Sequence, residues 1–222
     1  MGGYVLWWGR KDAFPGADGG TIQQTGIPNA TTIPIYGTDG NPLTEGSATG
    51  FQMVDITAGG IVGKENTTLV YAIQHPLSCI YNTGDSRDWY TQDESYLNNT
   101  LWGEGTVKSN YDPCPQGWRV PADKTWGDYV LSTTQYYSMG VPGAEVRHQT
   151  NGRVYASLTW YPACGNRNRE SGLISSVGYS TAFWEITPLG VWGRGVYFDM
   201  TTINPNTSGS RANGMVVRCV QE

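Results

Sequence analysis

The chain has 222 residues, carries a formal net charge of -5 with a pI near 5.0, and devotes only 15% of its positions to charged side chains, against about 25% in an average globular protein. With 30 Gly, 9 Trp and 14 Tyr, this composition excludes disorder, coiled coil and long surface helices, and the acidic balance opposes the phosphate neutralisation on which nucleic-acid binding depends. The length suits one domain with a substantial core, 1–222, and no apolar run approaches the ~18 to 20 residues of a membrane span, so a soluble chain without membrane insertion is expected.

In chain order, the start MGGYVLWWGRKD has neither a basic segment feeding an apolar stretch nor a small-residue cleavage site, so no secretion signal is expected in this chain. Tyr4 to Trp8 is an apolar run, and residues 15 to 50 read mostly as loop. Two short helices are predicted. One covers Thr67 to Gln74 and is stopped by Pro76; the other covers Asp123 to Leu131, with Trp126, Tyr129 and Val130 on one face. In VRHQTNGRVYASLTW, Asn151-Gly152 lies between two alternating runs and predicts a hairpin turn there. Ala182 to Ile186, Gly195 to Thr201 and Met215 to Val220 read as strands, separated by loop-like segments such as INPNTSGSRANG.

The chemical inventory is thin: the sequence holds no phosphate-binding loop, no HExxH, no GxSxG and no CxxC. His75 and His148 read as structural or surface residues. Asp93 and Glu94 lie in a polar loop whose default reading is a solvated turn. Cys79, Cys114, Cys164 and Cys219 are too widely spaced for a zinc ribbon, so disulfides are favoured over metal, and spacing chooses none of the three full pairings. Neither cofactor nor metal is expected.

The stretches WGRKDAFPG (8–16), DWYTQDESYLNNTLWGEG (88–105), YDPCPQGWRVPADKTW (111–126), YPACGNRNRESGLISSVG (161–178) and RANGMVVRCVQE (211–222) together resemble the fibrobacter-type major paralogous domain, found in surface and fimbria-associated proteins of Bacteroidetes. The CPxGWRVP phrase, with Trp126 after Asp123, also resembles the C-type-lectin-like fold in its formylglycine-generating branch. The resemblance implies an α+β, C-type-lectin-like domain of short antiparallel strands, two short helices and long loops, with Tyr4 to Trp8 paired to Met215 to Val220. It also implies a Cys114–Cys219 disulfide, which would close a loop of ~100 residues and contribute on the order of 4 kcal/mol in the chain-entropy model. Cys79 and Cys164 are then free or paired with each other.

The tail is similar to the variable region of proteins diversified by retroelements in gut Bacteroidales and their phages, and Ser171 to Asn213 contains no Lys or Gln, as template-adenine mutagenesis requires. Glu185, Trp192 and Met200 are then either fixed by the template or derived from other codons. The resemblance makes 171–213 a candidate variable ligand-binding region, with Tyr179, Ser180, Thr181, Phe183, Leu189, Val191, Arg194, Tyr197, Asp199, Thr201, Thr207 and Ser208 lining one exposed face. Strand alternation turns Val196 and Phe198 inward and Tyr197, Asp199 and Thr201 outward, and Trp118 and Trp184 are expected to be buried. Rigid aromatics and Arg supply much of the contact energy at interfaces.

The implied function is a non-catalytic receptor-binding or adhesin module. Its partner is a protein or glycan receptor on another cell or surface, and an oligomer is possible. The implied location is extracellular, at a bacterial cell surface, a pilus tip or a phage tail tip. The alternatives are a structural pilus subunit and a formylglycine-generating-type enzyme, for which Cys219 has only Cys164 as a companion. A calcium-dependent lectin site is disfavoured, because no EPN, QPD or WND triplet is present.

Overall fold

The protein is described by a computed structural model, which describes residues 4–16, 35–105, 107–139, 141–143 and 150–222. The longer elements are β1 (Tyr4–Trp7), α1 (Leu69–Gln74), β2 (Thr134–Ser138), β3 (Gly152–Tyr155), β4 (Thr159–Pro162), β5 (Thr181–Leu189), β6 (Trp192–Phe198), β7 (Ile203–Ser210) and β8 (Gly214–Met215). Strands take up 39% and helices 5%, in a β-rich fold with a curled half-barrel sheet. This overturns the expected α+β, C-type-lectin-like class with two helices.

The second expected helix does not form. Lys124 adopts φ +65, outside the right-handed helical region, and 122–129 is instead a run of tight turns with Thr125 N–H donating to Ala122 O, Gly127 to Lys124 and Tyr129 to Trp126. Its apolar positions still serve the core, for Trp126 and Tyr129 are buried. The first helix forms as α1 and ends at His75, which Pro76 pushes out of helical geometry to φ -127 and ψ 68.

The Asn151-Gly152 hairpin is also corrected. Gly152 opens β3 without positive φ, and the tight turn sits at Ala156 and Ser157, with φ of 48 and 59, between β3 and β4. The glycine serves a close approach: a Cβ there would lie 2.2 Å from Tyr161 O. Buried Asn151 donates from Nδ2 to Gly178 O at 2.8 Å and accepts from Met139 N–H at 2.8 Å. The run before it, with His148, lies outside the described residues, as do positions 17–34 of the expected loop.

The β1 strand pairs antiparallel with β8, Leu6 opposite Met215 and Trp7 opposite Gly214, so the two ends of the chain share one sheet. Asn166–Arg167 continues this sheet beyond β8, and Phe14–Pro15 continues it beyond β1. Four buried indole N–H groups tie these parts together. Trp8 donates to Glu185 O at 3.0 Å, Trp89 to Trp8 O at 2.8 Å, Trp102 to Arg10 O at 3.0 Å and Trp184 to Leu6 O at 2.8 Å. Each buries a large apolar surface without stranding its polar atom.

In the sheet β5-β6-β7, the β5 and β6 strands lie between two cores, while β7 exposes one face. Phe183, Val196 and Phe198 pack on one side with Trp126, Tyr129, Tyr136 and Tyr161. Ala182, Trp184 and Ile186 pack on the other with Trp8, Trp102, Cys114 and Met215. Gly193 makes the second arrangement sterically feasible, since a Cβ there would meet Trp8 at 2.5 Å and Trp184 at 2.8 Å. Cys114 and Cys219, the pair the resemblance implies, are joined, with Cα atoms 5.7 Å apart; Cys79 and Cys164 are buried and carry no disulfide. Buried Asp112 organises the CPQGWRV phrase by accepting from Cys114 N–H at 2.8 Å and Val120 N–H at 3.0 Å, with Lys108 Nζ at 2.9 Å. Trp118, expected to be buried, is 43% exposed, because it lies on a two-residue strand that pairs only with Val220–Gln221. Among the described residues no helix is long and apolar enough to cross a membrane.

Candidate functional site

Because β5 and β6 are covered on both faces, while β7 leaves Asn204, Asn206 and Ser208 exposed, binding on the first two strands is left to their ends and edges, and it is at one end of β5 that a cavity opens. It measures about 180 Å3 and is lined by Asn166, Ser176, Tyr179, Ser180, Thr181, Ala182, Tyr197 and Met215. The cavity is shaped by a turn before β5. Ser176 and Gly178 take positive φ of 60 and 69, and the N–H groups of Tyr179 and Ser180 both donate to Ser176 O at 3.0 Å. The turn is anchored from outside, since Asn151 holds Gly178 O and the Tyr136 hydroxyl donates to Tyr179 O at 3.2 Å. Asn166 is oriented by the Ser175 hydroxyl, which donates to its Oδ1 at 2.8 Å.

Tyr197 reaches the cavity from β6, opposite Ala182. Its hydroxyl donates to Asp199 Oδ2 at 3.0 Å, while Asp199 Oδ1 accepts from Thr201 N–H at 2.8 Å, Thr202 N–H at 2.7 Å and the Thr201 hydroxyl at 3.1 Å. Burial acts to raise the Asp199 pKa, but the Thr201 and Thr202 N–H groups and the Tyr197 hydroxyl outweigh it, and the net shift is downward. Burial, helped by the neighbouring Asp199 carboxylate and opposed by Ser180, pushes the Tyr197 hydroxyl up to about 12, so it remains a neutral donor at physiological pH. The wall thus presents hydroxyls, an amide, aromatic surface and a thioether around a neutral interior.

The structure brings some of the expected contact residues together and disperses the rest. Tyr179, Ser180, Thr181 and Tyr197 line the cavity, with Asp199 and exposed Thr201 beyond it. Ser180, Thr181 and Asp199 are nevertheless buried, at 5%, 2% and 9% exposure, so they act as wall and support, which corrects their expected exposure. Phe183 is 2% exposed and belongs to the core beside Val196 and Phe198, with Val196 opposite it in register; it cannot be a surface contact.

Leu189 and Val191 flank Gly190 at the β5–β6 turn, where Leu189 is exposed. Arg194 lies on the same side of β6 as Val196 and Phe198, opposite to Tyr197, with Ser208 across from it on β7. Thr207 is opposite Gly195. The single continuous face is therefore replaced by a cavity with its rim, a hairpin tip and a separate Arg194 patch. The physical reason is that period-2 alternation distinguishes two sides of a strand, whereas here both sides have a core.

The other candidate groups have structural duties. Asp93 caps the short Glu94–Tyr96 turn by accepting from Ser95 N–H at 2.9 Å, and Glu94 is exposed. Nδ1 of His75 lies 3.5 Å from Glu45 and its ring stacks on Tyr71. Asp88 is buried 3.6 Å from Arg211, and burial lifts its carboxyl to about 6 despite that guanidinium. Arg211 stacks over Trp8, with 4.4 Å to the ring centroid, and donates to Gly190 O at 2.6 Å, which fastens the RANG phrase to the hairpin tip.

Sequence reasoning missed Asn166, Ser176, Ala182 and Met215 as cavity walls. They come from four separate segments, and the only signal was that Asn166 and Ser176 fall within the YPACGNRNRESGLISSVG phrase. It also missed a buried carboxylate, Glu185, 1% exposed and with Oε1 unpartnered. Burial and the nearby Asp123 raise its pKa to about 7, against the pull of the Trp126 and Lys124 N–H groups and Arg194, which itself lies 3.7 Å from Asp123. Among the described residues, no cluster of three or more His, Cys, Asp or Glu is placed to hold a metal ion. Comparison with family models, curated proteins and solved structures finds no match to the chain.

Proposed function

We propose that this domain is a non-catalytic recognition module of the adhesin type that takes one sugar residue of a receptor glycan in the cavity between the 176–181 turn and Tyr197. The observation that carries the reading is the cavity's chemistry: two tyrosines, an oriented Asn166 amide and serine and threonine hydroxyls around about 180 Å3. A pyranose offers apolar C–H faces to aromatic rings and a rim of hydroxyls to neutral donors and acceptors. The volume falls below the roughly 300–1,000 Å3 of pockets that enclose a drug-sized ligand, which matches capture of a single residue with the rest of the glycan outside.

The rim is where the proposed diversification would act. Changes at Tyr179 and Thr201 alter the opening without dismantling a core; Tyr197 packs partly against the core of Trp8 and Trp184, and Phe183 is excluded from the variable set by its burial. A surface location on a bacterium or at a phage tail tip belongs to this same reading. Sequencing the flanking DNA tests the diversification: a reverse transcriptase gene with a near-repeat of the last ~40 codons differing at adenines supports it. A glycan array probed with the domain and with Tyr179→Ala tests the site. The expected result is a restricted set of glycans bound by the parent and lost by the variant with its melting temperature held within a few degrees; an unchanged binding profile refutes the cavity as the site.

A further inference from the structure

A second cavity, of about 210 Å3, shares no lining residue with the first and lies between α1 and the turn that follows β1. It is lined by Arg10, Lys11, Asp12, Leu69, Ala72, Ile73, Trp89 and Tyr111. Its chemistry is different. Leu69, Ala72, Ile73 and the two aromatics form an apolar wall, and the charged groups gather on the β1 side.

Arg10 is the unusual element. The residue is 1% exposed, and its guanidinium carbon sits 4.7 Å from the Phe14 ring centroid and 5.4 Å from that of Trp89, so the group lies close to both rings. Nε donates to Asp12 Oδ2 at 2.9 Å, but Nη1 and Nη2 are buried with no hydrogen-bond partner. A guanidinium presents five N–H donors in a planar fork matched to two oxygens of one anion, and leaving such donors unsatisfied in a buried setting is costly. Asp12 satisfies only the Nε edge, and it is itself partly exposed. Lys11 adds a second positive charge to the lining, with Nζ held 2.9 Å from Asn110 O, so the three charged residues of the wall sum to a net positive site even with Asp12 counted.

We infer that this cavity binds a small organic carboxylate whose apolar body lies against Leu69, Ala72, Ile73 and Tyr111 while its two oxygens take the Nη1 and Nη2 edge of Arg10. Asp12 keeps the guanidinium in place through Nε; the Nη1 and Nη2 edge is buried, so ligand entry requires a side-chain adjustment that opens it to the cavity. The apolar wall makes a carboxylate with an aliphatic or aromatic body a better fit than an inorganic anion, because a bare anion would leave that wall unfilled. Ile73, 62% exposed on α1, stands at the opening.

The test is a titration of the full chain with phenylacetate and with phenylacetamide, followed by NMR at the Trp89 indole N–H. The acid is expected to bind at least about tenfold more tightly than the amide. In Ile73→Glu, which places a negative charge at an exposed position and leaves Arg10 intact, the acid is expected to lose about fivefold or more in affinity while the amide changes little. In Arg10→Met the preference for the acid is expected to vanish; if that variant fails to fold, the Ile73→Glu comparison decides alone. Equal binding of acid and amide, no binding of the acid at about 10 mM, or an Ile73→Glu variant with unchanged preference each overturns the inference.

Discussion

Replacing Glu185 by Gln tests whether the buried carboxylate stores a pH-dependent penalty beneath β5. Its folded pKa of about 7 stands above the ordinary 4.5, with burial the main cause and Asp123 the second. The sign follows from proton counting. Between these two values the folded state holds more protons than the unfolded state, so stability falls as pH rises; the penalty is absent below the unfolded pKa and complete above the folded one. A shift of this size corresponds to about 3 kcal/mol at high pH, and about 2 kcal/mol of it develops between about pH 5 and about pH 8.

Glutamine keeps the shape and removes the charge, and its amide can donate toward Asp123 Oδ1, which is buried without a hydrogen-bond partner. Urea unfolding followed by tryptophan fluorescence at the two pH values gives the double difference, from which the similar titration of Asp88 cancels. The variant is expected to gain about 2 kcal/mol more over the parent at the higher pH than at the lower. A difference that is the same at both pH values, or larger at the lower one, refutes the reasoning.

In β6, Phe198→Ala removes a fully buried ring and is expected to cost about 3–5 kcal/mol, whereas Tyr197→Phe keeps the ring and removes only its hydroxyl, with its bond to Asp199, and is expected to cost about 1 kcal/mol; chemical denaturation measures both, and a Tyr197→Phe cost equal to the Phe198→Ala cost would contradict this contrast. Reducing the Cys114–Cys219 bridge, which spans 105 positions, is expected to remove on the order of 4 kcal/mol, read as a lowered melting temperature with dithiothreitol and reproduced by Cys114→Ser. Thermal unfolding with and without EDTA is expected to give one midpoint; a drop of several degrees would reveal a cation at the loop bearing Asp85, Asp88, Asp93 and Glu94.

The legible parts of the fold were those fixed by local pattern. The strands around 182–186 and 195–198, the buried side of Val196 and Phe198, the Pro76 helix stop and the burial of Trp126 and Tyr129 each follow from spacing or from one residue's stereochemistry. The errors share a different cause. Asn151-Gly152 is a turn signal when judged on neighbours alone, yet Asn151 is recruited by distant Gly178 and Gly152 by the close approach of Tyr161. The 123–131 pattern has helical spacing, but Lys124 in the left-handed region turns the same apolar residues into a chain of tight turns.

At the site, the expected face failed because β5 and β6 have a core on each side, so Phe183 and Trp184, adjacent in sequence and opposite in direction, are both buried. No single strand reveals that. The cavity walls from Asn166 and Met215 depend on β8 pairing next to Asn166–Arg167, a long-range arrangement without local trace.

The most direct test of the proposed recognition is a titration of the isotope-labelled domain with a panel of monosaccharides, read as shifts of backbone resonances. Recognition by the described cavity predicts that at least one sugar moves Asn166, Ser176, Tyr179 and Tyr197 together in a saturable manner, with Trp89 and Ile73 unaffected. If no sugar moves those resonances at about 50 mM, or if the shifts map to another surface, the cavity is not a glycan site and the account is wrong at its centre.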